Sequence, residues 1–277
     1  MNRPSLLRRI LTTDLPVLLM VVLAMGPFVW MILTSLTPSE RLSATGVSLA
    51  PAGWGLDNYA RLFEQTSFLG NMGHSLVVAV GTVVLGLTVS VTAAYAFSRF
   101  RFPGRKAIML QFLLVNMFPV VLLILPLFVL MRRLGILDTH LGLILANATV
   151  AIPFAVWMLT SYIGAIPKSL DEAAMIDGCS RLSALRRVVL PLAMPGIIST
   201  GIYIFITAWN EYLYALTLGG RNVRTVTVAI QTLIGEYQIE WGLLAAGGVV
   251  GAMPATLLFL LVQRRLIGGL TQGAVKG

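Results

Sequence analysis

One cysteine, Cys179, and two histidines, His74 and His140, are all that 277 residues offer to thiol or imidazole chemistry. A lone thiol closes no internal disulfide and builds no thiolate cluster, and two isolated histidines have no ligand spacing. Charge is scarce as well: 11% of residues are Asp, Glu, Lys or Arg against 57% hydrophobic, so a soluble bundle would have no polar faces for its outside. Nowhere does a G-x-x-x-x-G-K-[ST] stretch occur, and without that phosphate cradle the chain does not hydrolyse ATP itself. No basic patch is interleaved with aromatics, which excludes nucleic acid as the meaning of the +9 charge. That charge belongs to membrane topology and anionic headgroups.

What the sequence has in abundance is long apolar runs. Six of them, roughly 15–36, 72–97, 107–131, 141–162, 188–208 and 243–262, are each long enough to cross a bilayer as helices. Backbone groups in hydrocarbon must be satisfied within the segment, so the fold class is all-α, a polytopic membrane protein of six transmembrane helices forming one domain over 1–277. The first run exceeds a signal-peptide core and no small-x-small site follows closely, so it is expected to remain as a helix. Fourteen of the twenty basic residues flank the spans on one side: Arg3, Arg8 and Arg9; Arg99, Arg101, Arg105 and Lys106; Lys168, Arg181, Arg186 and Arg187; Arg264, Arg265 and Lys276. The positive-inside rule therefore puts both termini and the segment from Ser169 in the cytoplasm.

Small residues recur four apart in the second span, at Gly86, Ser90, Ala94 and Ser98, and Gly242, Ala246 and Val250 do the same at the sixth. Both read as seams where another helix approaches closely. Between the first two spans, Leu56 to Phe63 suggests a short amphipathic helix. Prolines interrupt the third span at Pro119 and Pro126, and the fourth, fifth and sixth at Pro153, Pro191, Pro195 and Pro254, and each is expected to kink its helix. Asn116, Asn147 and Asn210 are the polar groups best placed to bond between helices or to face a pathway.

Between the fourth and fifth spans lies the polar stretch from Ser169 to Gly178. Ser169 and Glu172 have capping-box spacing, Leu170, Ala173, Ala174 and Asp177 fall on one face, and Gly178 permits a stop. Ser180 can cap a second helix from Arg181 to Arg187. Helix, Gly turn, helix over 169–187 makes a handle: alanine methyls let it lie deep in a partner's groove, and Glu172 can add a charge-assisted bond.

Glu172-Ala-Ala-x-x-Asp-Gly178, with Pro191 thirteen residues beyond, resembles the EAA signature of permease subunits of binding-protein-dependent ABC importers. Asn71-x-x-x-Ser75, Ala94-Tyr-Ala-Phe-Ser-Arg99 with Phe102-Pro-Gly104, Ala208-Trp-Asn-Glu211 and the ending Gln263-Arg-Arg265 through Gly277 are similar to the smaller membrane subunit of maltose, trehalose and other carbohydrate importers. The resemblance covers essentially the whole chain. It implies a multi-pass permease in a bacterial inner membrane, passing a di- or oligosaccharide and paired with a second, non-identical permease, two ATPase subunits and an extracytoplasmic sugar-binding protein. ATP and Mg would reside on the ATPase. It also implies that Glu172, Ala173, Ala174, Asp177, Gly178 and Arg181 dock into the ATPase as a coupling helix, and that the tail ending at Gly277 reaches the ATPase dimer. A polyol, monosaccharide or glycerol phosphate importer, a secondary transporter and a scaffold subunit are the other readings. The secondary transporter lacks an ionisable group well inside any span, Asp14 and Glu211 lying near ends.

Overall fold

The computed structural model of the chain describes residues 10–47, 49–50, 53–235 and 239–273. A π-helical turn, Ile10–Asp14, leads into α1 (Leu15–Leu36), followed by α2 (Ser39–Thr45), α3 (Asp57–Gln65), α4 (Phe68–Arg99), α5 (Arg105–Met117) and α6 (Val120–Arg133). Then come α7 (His140–Ala165), α8 (Lys168–Ile176), α9 (Arg181–Ala184), a second π-helical stretch Leu185–Val189, α10 (Leu190–Trp209), α11 (Leu213–Leu218), α12 (Val226–Thr232) and α13 (Trp241–Gly273). The fold is all-α: among the described residues the only strand-like pairing is an isolated bridge between Ile234 and Ile239.

Five of these segments are uninterrupted and apolar enough to cross a membrane: Thr12–Leu36, Phe68–Arg99, His140–Ala165, Arg181–Trp209 and Trp241–Gln263. The third expected span is different. The sequence predicts one kinked helix over 107–131, but there are two helices, α5 and α6, bent by 100° at Phe118 and Pro119. Pro119 donates no N–H and forces the residue before it away from helical dihedrals, and Phe118 is accordingly extended at φ −76°, ψ 131°. Pro126, by contrast, stays inside α6. A proline within a continuing helix costs one bond; a proline after an extended residue ends the helix.

The chain forms two compact units, one of residues 1–69 and 230–252, the other of residues 70–229 and 253–277. In the first, α3 is amphipathic as expected, with Leu62 fully buried. Its buried Asn58 donates through Nδ2 to the carbonyls of Ser35 and Thr37, both at 2.9 Å, and accepts from Ser39 Oγ at 3.0 Å, so the end of α1 and the start of α2 hang on one amide. Gly242 passes so close to Asn58 that a Cβ would lie 2.6 Å from its Nδ2, which is why the seam on α13 opens with glycine.

In the second unit the α4 seam is buried along its length. Gly86 lies against Ile204 of α10, Ser90 and Ala94 are fully buried, and Ser98 Oγ donates to the Thr160 carbonyl of α7 at 3.2 Å. Helices α7 and α10 pack on one another most extensively, Gly196 of α10 meeting the ring of Tyr162. Asp138, between α6 and α7, adopts a left-handed backbone with φ 56°. Its carboxylate accepts from the backbone N–H of Asn222 at 3.1 Å and of Val223 at 3.0 Å, and its own N–H donates to the Leu218 carbonyl at 2.9 Å. The segment after α11 is clasped by that one side chain.

Candidate functional site: a polar helix–turn–helix and a polar cavity

The segment between α7 and α10 folds locally. Ile166 is extended before Pro167, and α8 starts at Lys168 with Pro167 as its N-cap. The expected capping box is absent: no side chain caps this end, because the helix starts two residues earlier than that spacing requires. Glu172 is thereby left exposed, with no hydrogen-bond or ion-pair partner among the described residues. The other end is a Schellman stop, in which Cys179 N–H donates to the Ala174 carbonyl at 2.9 Å and Gly178 N–H to the Met175 carbonyl at 3.1 Å. Gly178 has φ +88°, the left-handed backbone that the sequence asked of it. Ser180 then caps α9 as expected, accepting from Ser183 N–H at 3.3 Å.

The face expected on α8 is split. Leu170, Ala173 and Asp177 are exposed together with Glu172, whereas Ala174 is 8% exposed and turns into the chain beside Asp171. The cause is an ion pair between Asp171 and Nε of Arg99 at the end of α4, with both side chains under a tenth exposed. Sequence reasoning missed this pair, since Arg99 was counted for topology and Asp171 was overshadowed by Glu172. Its signal was the one-turn spacing of Asp171 to Ala174, which marks a second, inward face. Arg181 is exposed and holds its guanidinium carbon 5.0 Å from the ring centre of Phe100. Gly277 lies outside the described residues.

Of the three asparagines, two share a site. A cavity of about 330 Å3 is lined by Val120, Asn147, Val150, Thr207, Asn210, Glu211, Tyr212, Leu213 and Tyr214. Asn116 is exposed elsewhere on α5. Of the two roles expected of these amides, interhelical bonding is not what Asn147 and Asn116 do: Asn147 Nδ2 donates to the Leu143 carbonyl at 2.9 Å and Asn116 Nδ2 to the Phe112 carbonyl at 3.1 Å, each within its own helix. A donor satisfied one turn back leaves the amide oxygen of Asn147 for something else. Glu211 is occupied at its oxygens, accepting from the N–H of Tyr214 at 2.8 Å and of Ala215 at 3.0 Å, so it starts α11 where α10 stops. That break in the helix opens the cavity.

Among the described residues no group of three or more His, Cys, Asp or Glu is arranged to hold a metal ion. His74 and His140 instead meet each other, ring nitrogen to ring nitrogen, at 2.8 Å.

Apolar helices of crossing length, with one broken segment and a polar helix–turn–helix between two spans, define a multi-pass permease subunit. The chain belongs to the family described as the binding-protein-dependent transport system inner membrane component, which it matches over residues 83–271. It is thus an ABC-type permease of the inner membrane. It is 36% identical over 279 residues to the trehalose/maltose transport system permease protein MalG of Thermococcus litoralis, covering 99% of both chains. It is also 37% identical to the sulfoquinovosyl glycerol transport system permease protein SmoH of Agrobacterium fabrum, covering 91% of this chain and 88% of that one. Its fold is that of a chain in a bacterial ABC transporter involved in the import of the acidic polysaccharide alginate, with a TM-score of 0.82 at 24% identity over 95% of this chain and 99% of the other.

Proposed function

We propose that this chain is one of two non-identical permease halves of a sugar importer, that it passes a di- or oligosaccharide, and that it acts over 1–277 as one permease domain with both termini in the cytoplasm. Two ATPase subunits and an extracytoplasmic sugar-binding protein complete the machine, with ATP and Mg bound by the ATPase. The observation that carries the coupling role is α8 itself: a short helix between two spans, closed by a Schellman stop, with Glu172, Ala173 and Asp177 exposed on it. An exposed carboxylate free of local capping is available for a charged bond across an interface. Gly178 and Arg181 set the turn and the following helix, and the tail to Gly277 is assigned to the ATPase dimer.

The cavity bearing Asn147 and Asn210 forms part of the pathway wall. Amides accept and donate to sugar hydroxyls, and tyrosines offer apolar ring faces beside them. Asn116, outside the cavity, is assigned to the pathway on α5. Full-length similarity to a trehalose/maltose permease supports the cargo class. ATP closes the ATPase dimer, α8 is carried with it, and the spans switch between two packings, each favoured by one nucleotide state.

The test is hydrolysis by the reconstituted complex of this chain with its cognate subunits. Maltose, trehalose, a longer oligosaccharide and glycerol 3-phosphate are supplied in turn with the binding protein. Stimulation by a di- or oligosaccharide is expected, and stimulation by glycerol 3-phosphate alone reverses the cargo assignment.

A further inference from the structure

We infer that Arg99 and Asp171 are a positioning pair that locks the coupling helix to the inner end of α4, so that α8 and α4 move as one body when nucleotide state changes. The inference rests on the coupling role proposed above. It starts from how little else holds α8. Leu170, Glu172, Ala173, Met175 and Ile176 are all exposed, Ile176 at 86%, and α8 buries toward its own chain only Asp171 and Ala174.

The ion pair is not built as a stability element. Arg99 Nε pairs with a carboxylate oxygen of Asp171, yet none of the buried guanidinium nitrogens and neither carboxylate oxygen has a well-formed hydrogen bond among the described residues. Desolvating two charges for one contact roughly breaks even against apolar packing, whereas losing either partner strands a buried charge. Such a pair enforces one arrangement strongly while adding little net stability. Position is what it contributes.

The place of Arg99 gives that position a use. It is the last residue of α4, whose seam through Gly86, Ser90, Ala94 and Ser98 is buried along its length, with Gly86 against α10 and Ser98 bonded to α7. A displacement of α8 delivered at Arg99 therefore enters a helix already packed into two others. The other packing of α8 is on α9 and the π-helical stretch Leu185–Val189, which follow it directly in the chain and do not involve α4.

The experiment measures one distance in the assembled complex. A spin label on the native Cys179 and another at Thr92→Cys, an exposed α4 position two turns from Arg99, report the separation of the handle from α4. The complex with its cognate ATPase is compared without nucleotide and with ATP and vanadate. A narrow distribution that is the same in both states is expected for the wild-type pair. Asp171→Asn and Arg99→Gln should each broaden it while the ATPase still co-purifies. The double variant Arg99→Leu/Asp171→Leu, free of stranded charge, should recover thermal stability yet keep the broad distribution, which a merely stabilising pair would not do. A wild-type distance that shifts between nucleotide states by more than its own width overturns the lock, as does a narrow distribution in both single variants. If the wild-type chain retains no ATPase at all, the coupling reading has failed, and that result is distinct from either of these.

Discussion

Glu172, Ala173 and Ala174 are consecutive, yet the backbone gives them different work. Ala174 is 8% exposed and packs inward, so Ala174→Leu should overpack the chain and lower its thermal stability by about 1 to 3 kcal/mol, read from denaturation of the purified protein. Ala173→Leu, on the exposed side, should leave stability within about 0.5 kcal/mol and weaken retention of the ATPase instead. Glu172→Ala should also act only on retention, by about 1.5 to 3 kcal/mol for a lost charged bond, which a pull-down titration would show as a tenfold or greater loss. Equal effects of the two leucines on folding would remove the distinction. At Gly178, φ +88° makes Gly178→Val cost about 1 to 2 kcal/mol through the backbone alone, since no atom lies within 4 Å of where a Cβ would sit. Gly178→Asn, which tolerates that backbone, should recover most of the loss.

At the scale of elements, the handle was legible in sequence because its signals are local. Gly178, Ser180 and Pro167 act on backbone within a few residues, and the structure uses all three, although Pro167 rather than Ser169 sets the start of α8. The α4 seam was legible for the same reason, four-residue spacing being a property of one helix. What stayed hidden joins distant parts of the chain: Arg99 to Asp171, Asp138 to Asn222 and Val223, and Glu211 turning from a span end into the start of α11. Asp138 has a pH signature. Burial pushes its carboxyl up, but the backbone N–H groups of Asn222, Val223, Arg221 and Gly220 outweigh that and leave it below the usual carboxylate range. A carboxyl depressed on folding contributes stability that is complete above its unfolded value near about 4 and is lost as pH falls through the lower folded value. Protection factors of the Asn222 and Val223 amides, taken against the intrinsic exchange rate at each pH, should therefore stay high at neutral pH and fall only in that acid window. Asp138→Asn should remove the pH dependence, and Asp138→Ala should add the penalty of a left-handed alanine.

For the molecule as a whole, the number of crossings turns on whether the pair bent at Phe118 and Pro119 spans the bilayer. Arms of 13 and 14 residues are each about 20 Å long, too short to traverse about 30 Å of hydrocarbon alone. Bent by 100°, they place their outer ends about 26 Å apart, close to one bilayer core and far short of two. Thiol labelling of single-cysteine variants should accordingly find Lys106 and Arg133 in opposite compartments, and finding both in the same one would make the pair a re-entrant loop. The consequence is one of parity. Five straight crossings alone would send the last span out through the face opposite to the one where the first began, and would put the handle across the membrane from the side where the first span starts. Counted as one crossing, the bent pair brings the total to six and returns the handle to the side from which the first span starts.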